Sequence, residues 1–96
     1  MPLKTSKYDP ANYIETDLDA RQYLEAALET KDAAFIADSL GVVARARGMT
    51  KVAKAAGLSR ESLYKALSSD GNPEFATILR VIDALGFTLA IRPGKG

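Results

Sequence analysis

The sequence contains no cysteine and no histidine. The first absence removes disulfides, thiolate metal sites and cysteine nucleophiles; the second removes imidazole ligands and imidazole acid–base chemistry. Catalysis would have to rest on carboxylates, lysines and hydroxyls, and no pair of carboxylates is placed by spacing into a site. The expectation is therefore a protein that is not an enzyme and carries no metal or cofactor. There is no run of eighteen apolar residues, so no segment is expected to span a membrane. The opening Met-Pro-Leu-Lys-Thr-Ser-Lys lacks the apolar stretch of a secretory signal, which makes the cytoplasm the expected location. No internal repeat is visible. Neither sign of charge dominates, with 13 Lys and Arg against 12 Asp and Glu, and a 47% hydrophobic, 26% charged composition suits one soluble domain of 96 residues.

The balanced total hides a polarity. Residues 1–40 carry a net charge of −4 and residues 41–96 a net charge of +5. Between positions 45 and 65 the cations Arg45, Arg47, Lys51, Lys54, Arg60 and Lys65 face a single anion, Glu61. A cluster of this sign is what phosphates require of a nucleic-acid-binding surface, although a cationic face can also be merely solvated.

The chain is organised around the stretch 50–67, which reads as a helix-turn-helix. A first helix is expected from about Lys51 to Ala56, broken at Gly57, where a left-handed backbone costs nothing. Ser59 is placed to cap a second helix over Arg60 to about Leu67. Ala53 is small enough to let the two helices approach, and Leu58, Leu63 and Leu67 fall on the inner side. The outer side of the second helix then carries Ser59, Arg60, Glu61, Tyr64, Lys65 and Ser68, the position from which such a motif reads base edges. Lys51 and Lys54 on the first helix suit phosphates. Arg60 could pair guanine in a bidentate way, and Glu61 could accept from a cytosine amine or pair with Lys65 one turn on. Tyr64 could touch a thymine methyl or simply pack. Without DNA, the same residues would make a plain helical hairpin completing a core.

The flanks give a mainly helical fold. Residues 1–16 are expected to form an irregular arm with a turn at Asp9-Pro10 and apolar handles at Tyr8, Tyr13 and Ile14. Residues 17–93 are read as one domain and 94–96 as a frayed tail. A helix is expected from Asp17 to Glu29, capped by Thr16, with Ala20, Tyr23, Leu24, Ala27 and Leu28 inward. A second is expected from Thr30 to Arg47, burying Phe35, Ile36, Leu40, Val43 and Ala44. Gly41 within it implies a close helix contact, and Gly48 ends it. Arg45 and Arg47 could serve its dipole or contact phosphate. After a loop over 68–73, Pro73 is expected to open a last helix burying Phe75, Ile78, Leu79, Ile82 and Leu85 and closing at Gly86. Phe87 to Arg92 alternates and reads as one β-strand. Such a strand needs a partner edge: residues 12–15, a second copy, or another protein.

The layout resembles the Xre/lambda-repressor-like helix-turn-helix domain, and within it the addiction module antidote proteins, close to HigA-type antitoxins. The stretches that carry this resemblance are Tyr8-Asp9-Pro10-Ala11, Leu24 to Glu29, Ile36 to Thr50 with its Ala-Arg-Ala-Arg-Gly-Met-Thr run, Ala53 to Leu67, Gly71 to Phe75 and Leu85-Gly86. The resemblance implies an all-α bundle of about five helices with an extra N-terminal helix or arm and one short C-terminal strand. It implies a DNA-binding antitoxin that neutralises a RelE/HigB-like toxin and autorepresses the shared operon. The reading-helix role falls by position on Ser59, Arg60, Glu61, Tyr64 and Lys65. The acidic first thirty residues are the expected toxin-facing region, since a basic toxin would be drawn to them. Two copies would meet an inverted repeat with half-sites about one helical turn, roughly 34 Å, apart. The alternatives are a stand-alone Xre-type regulator without a toxin, and a protein-interaction module that no longer binds DNA.

Overall fold

The computed structural model describes residues 9–94, which form a short 3-10 turn, Pro10–Tyr13, and five α-helices. These are α1 (Asp17–Glu29), α2 (Ala33–Arg47), α3 (Met49–Ala56), α4 (Arg60–Ala66) and α5 (Phe75–Ala84). Residues 1–8 of the expected arm, Tyr8 among them, and residues 95 and 96 of the expected tail lie outside the described residues.

Each helix begins where local chemistry lets it. Thr16 caps α1 through a reciprocal pair: its hydroxyl accepts from the Asp19 amide at 3.0 Å, and the Asp19 carboxylate accepts from the Thr16 amide at 3.1 Å. The backbone N–H of Glu15, joined by that of Thr16, holds the Asp19 carboxyl below its ordinary range. The start of α2 departs from expectation. Thr30 closes α1, with its hydroxyl on the Ala27 carbonyl at 2.7 Å, and Lys31 turns the chain in a left-handed conformation at φ 58°. Asp32 then caps α2 by accepting from the Phe35 amide at 3.1 Å. A carboxylate two residues beyond the threonine is the better placed acceptor once α1 has ended. Pro73 likewise stands outside α5, which begins at Phe75 with the extended Glu74 as its cap residue.

The core forms where the inner faces of the five helices meet. Ala20 and Leu24 of α1 lie against Leu40, Val43 and Ala44 of α2, which join Met49, Val52, Ala53 and Ala56 of α3, Leu63 of α4, Leu67, Val81 and Ile82 of α5, and Leu85. The chain starts α3 two residues earlier than expected because Met49 is itself a core residue, 6% exposed. Gly41 sits where α2 meets the end of α4: an added Cβ would lie 2.8 Å from the Leu67 carbonyl oxygen, so only glycine permits this approach.

Four residues assigned inward by spacing are exposed: Leu28 (42%), Phe35 (45%), Phe75 (67%) and Leu79 (42%). In α5 the buried stripe is Ile78, Val81, Ile82 and Leu85, at i, i+3, i+4 and i+7, and fully buried Val81 takes the place expected for Leu79. Phe35 and Phe75 lie in the first turns of their helices.

The expected C-terminal strand is not formed. Among the described residues there is no strand, and 87–94 run as irregular chain. Phe87 is tied to the end of α5 by its amide on the Ile82 carbonyl at 3.1 Å. Residues 12–15, one proposed partner edge, are in or beside the 3-10 turn, whose Asp9 cap accepts from the Ala11 amide. A strand with no second edge in the same chain has nothing to pair with.

Candidate nucleic-acid interface

The joint between α3 and α4 is a closed hydrogen-bond system. Gly57 takes the left-handed conformation at φ 73°. Its amide donates to the Lys54 carbonyl at 3.2 Å, and the Leu58 amide reaches back to the Ala53 carbonyl at 2.9 Å. This pair of bonds satisfies carbonyls that a helix end leaves open and fixes the direction in which the chain departs. Ser59 then caps α4, its hydroxyl accepting from the Ser62 amide at 3.0 Å and donating to the Ser62 hydroxyl at 2.9 Å. Ala53 on α3, Leu63 on α4 and Leu67 are buried at the crossing, and Leu58 is half-buried beside it. The expected roles of Ala53, Gly57, Ser59 and Leu63 match this geometry.

Arg80, which no spacing marked, also holds the joint. From α5 its Nε donates to the Ala56 carbonyl at 3.2 Å and its Nη2 to the Gly57 carbonyl at 3.3 Å. A cation on the last carbonyls of α3 also favours the negative end of that helix. In the sequence Arg80 is one charged residue on the polar side of an amphipathic helix. Only the packing of α5 on α3 reveals its partners. Replacing it (Arg80→Ala) is expected to cost about 1 kcal/mol of stability and to speed amide exchange at Leu58, measurable by denaturant titration and hydrogen exchange.

The side of α4 facing away from the core is open. Ser59, Arg60, Glu61, Tyr64 and Lys65 are exposed, as are Lys51 and Lys54 on α3. Arg60 lies over the Tyr64 ring, 5.5 Å from its centroid, with Nη2 3.4 Å from the phenol oxygen. Tyr64 is 46% exposed and walls a cleft of about 220 Å³ shared with Asp38, Arg45, Met49 and Leu67. Glu61 and Lys65 make no ion pair among the described residues, although they stand one turn apart. Ser68 lies beyond the last residue of α4, half-buried, with its hydroxyl donating to the Lys65 carbonyl at 3.2 Å.

The two arginines at the end of α2 are committed elsewhere. Arg45 Nη2 meets Asp9 Oδ1 at 2.7 Å, which pins the N-terminal turn onto α2. Arg47 Nη2 meets Asp17 Oδ1 at 2.8 Å, its Nη1 donates to the Leu85 carbonyl at 3.1 Å, and its guanidinium stands over the Phe87 ring. The six cations of the basic cluster therefore divide. Arg45 and Arg47 hold the fold together, while Lys51, Lys54, Arg60 and Lys65 face solvent around the α3–α4 joint.

Among the described residues no three acidic side chains converge as a metal site, and no helix is long and apolar enough to cross a membrane. What fold and surface define is a small all-helical protein presenting a rigidly jointed pair of helices with a cationic outer face. The sequence matches the model of the family described as "probable addiction module antidote protein" over residues 4–93, and the chain belongs to that family. It is also 39% identical over 95 residues to a Haemophilus influenzae Rd protein described as uncharacterized, an alignment covering 99% of this chain and 98% of that one. No solved structure matches it.

Proposed function

We propose that this chain is the DNA-binding antitoxin of a two-gene module, using α3–turn–α4 as a helix-turn-helix of the Xre/HigA type. One observation carries the reading. Four cations around the joint, Lys51, Lys54, Arg60 and Lys65, have no acidic partner among the described residues, while the inner side of the same two helices is sealed into the core. These four cations outnumber the one exposed anion among them, Glu61, and such a surplus suits phosphates. In this reading Lys51 and Lys54 contact phosphates, and the outer side of α4 enters the major groove. Arg60, whose guanidinium lies over the Tyr64 ring, presents its paired donors to a guanine. Ser59, Glu61 and Lys65 flank it, and Ser68 lies at the far end of the contact.

The Arg60→Ala variant is expected to bind its operator about 1–3 kcal/mol more weakly and to lose preference at one base pair. Quantitative gel shifts on an operator and its single-base variants measure both. An unchanged affinity and footprint would remove Arg60 from the interface.

Family membership brings a toxin into the proposal. We take it to be a small basic ribonuclease of the RelE/HigB kind, neutralised in the cytoplasm, with the complex repressing its own operon. The acidic N-terminal third, in which Glu15, Glu25 and Glu29 are exposed, suits such a partner. Co-expression with the adjacent reading frame, followed by pull-down and growth rescue, tests this half. Rescue with co-purification supports an antitoxin; growth arrest despite a folded antidote contradicts it.

A further inference from the structure

Arg45 belongs by position to the basic cluster, yet its charge is spent on a segment the helices do not bury. Asp9 Oδ1 accepts from Arg45 Nη2 at 2.7 Å and from the Ala11 amide at 3.0 Å, so one oxygen both holds the arginine and caps the 3-10 turn. No residue of that turn, Pro10–Tyr13, is buried, and Ile14 after it is only half-buried against the core. The ion pair thus ties down a turn that no buried side chain anchors. Arg47 differs. Besides Asp17 it grips the Leu85 carbonyl and stands over the Phe87 ring, so it would stay in the fold if its carboxylate left. Arg45 makes one ion pair among the described residues, and both partners keep some solvent contact, with side chains 32% and 13% exposed.

Arg45 also borders the surface assigned above to DNA. With Tyr64, Ser68 and Ser69 it lines the cleft of about 220 Å³ at the end of α4. Tyr64 is on the outer side of that helix, and Ser69 is exposed just beyond it. We propose that Asp9 is a latch on Arg45. While the N-terminal turn is seated, the carboxylate withholds this arginine from DNA; once the turn lifts, Arg45 takes a backbone phosphate beside Tyr64 and Ser69. Resting on the DNA-binding reading, the latch adds to it a fifth cation and a restraint on affinity. Exchanging one anion for another is inexpensive, because the guanidinium is never left without a counter-charge. A rival anion stands close. Asp38 lies two turns before Arg45 on α2, lines the same cleft and makes no ion pair among the described residues. Release from Asp9 therefore frees Arg45 for DNA only where phosphate outcompetes Asp38.

Binding of the full chain to the DNA preceding its own gene, followed by fluorescence anisotropy over a salt series, tests the latch. With it closed, Lys51, Lys54 and Lys65 of two bound copies give a slope of log affinity against log salt of roughly −5. The Asp9→Asn variant keeps an oxygen that can accept from Ala11 and removes the charge that holds Arg45. Its slope is expected to steepen by about 2, one contact per copy, so its advantage over wild type shrinks about tenfold between 50 and 200 mM salt. Arg45→Gln alone should keep the wild-type slope, and Asp9→Asn/Arg45→Gln should return to it. Glu15→Gln removes the same charge from an exposed residue of the same segment and should leave the slope unchanged. Equal steepening by Glu15→Gln overturns the latch in favour of a general field. Flattening by Arg45→Gln alone overturns it by showing an arginine already on DNA. Loss of helical circular dichroism in Asp9→Asn overturns it too, because the pair would then support the fold. A wild-type slope near −5 with an unaltered slope in Asp9→Asn rejects the latch alone and leaves Arg45 to Asp38. Wild-type binding that ignores salt rejects the DNA-binding reading itself, and the latch with it.

Discussion

Operator affinity is expected to fall about a thousandfold between 50 and 200 mM salt. Lys51, Lys54 and Lys65 are exposed and make no ion pair within the described chain, so their charge is available to displace counterions. Two bound copies would bring six such contacts, and at about 0.9 per contact the slope of log affinity against log salt is roughly −5. The double variant Lys51→Ala/Lys54→Ala should flatten this to about −2 while leaving the preferred sequence unchanged. Arg45 and Arg47 are left out because both are engaged within the fold. If Arg45 contributed fully, the wild-type slope would steepen by about 2, so the measured value also tests that division of the cluster. Fluorescence anisotropy over a salt series is sufficient.

The second large effect is on stability. Leu63 is fully buried and is the inward anchor of α4, a helix of seven residues too short to persist alone. The Leu63→Ala variant removes that anchor and leaves a void under the exposed face, with an expected loss of about 2–5 kcal/mol. Against a total of about 5–15 kcal/mol for a typical domain, this would bring the chain near unfolding. Denaturant titration should show a lower midpoint, and operator binding should fall with the folded fraction. A loss below about 0.5 kcal/mol would mean that α4 is held by other contacts.

The α3–α4 joint was legible in the sequence because its determinants are local. Gly57, Ser59 and the spacing from Ala53 to Leu63 lie within eleven residues, and each acts on its immediate neighbours. The same holds for Thr16 and for the end of α2 at Gly48. Where the outcome depends on distant packing, spacing alone misassigned residues. Leu79 and Val81 both fit a helical stripe, and only the way α5 lies on α3 selects Val81. Thr30 and Asp32 compete as caps, and the left-handed Lys31 between them decides the matter. Arg45 and Arg47 look like Lys51 and Lys54 in a list of charges, yet their partners Asp9 and Asp17 lie 36 and 30 residues away. The unformed strand has the same cause. Alternation at 87–92 reports a preference for extended chain, whereas a strand exists only with a second edge.

Whether the outer side of α4 meets a groove of duplex DNA, as proposed, is read from a hydroxyl-radical footprint of the purified chain on the DNA preceding its own gene. Two protected patches about one helical turn apart, related by an inverted repeat, are expected. Uniform cleavage across that DNA by a folded protein, at concentrations where its toxin is still neutralised, would contradict it.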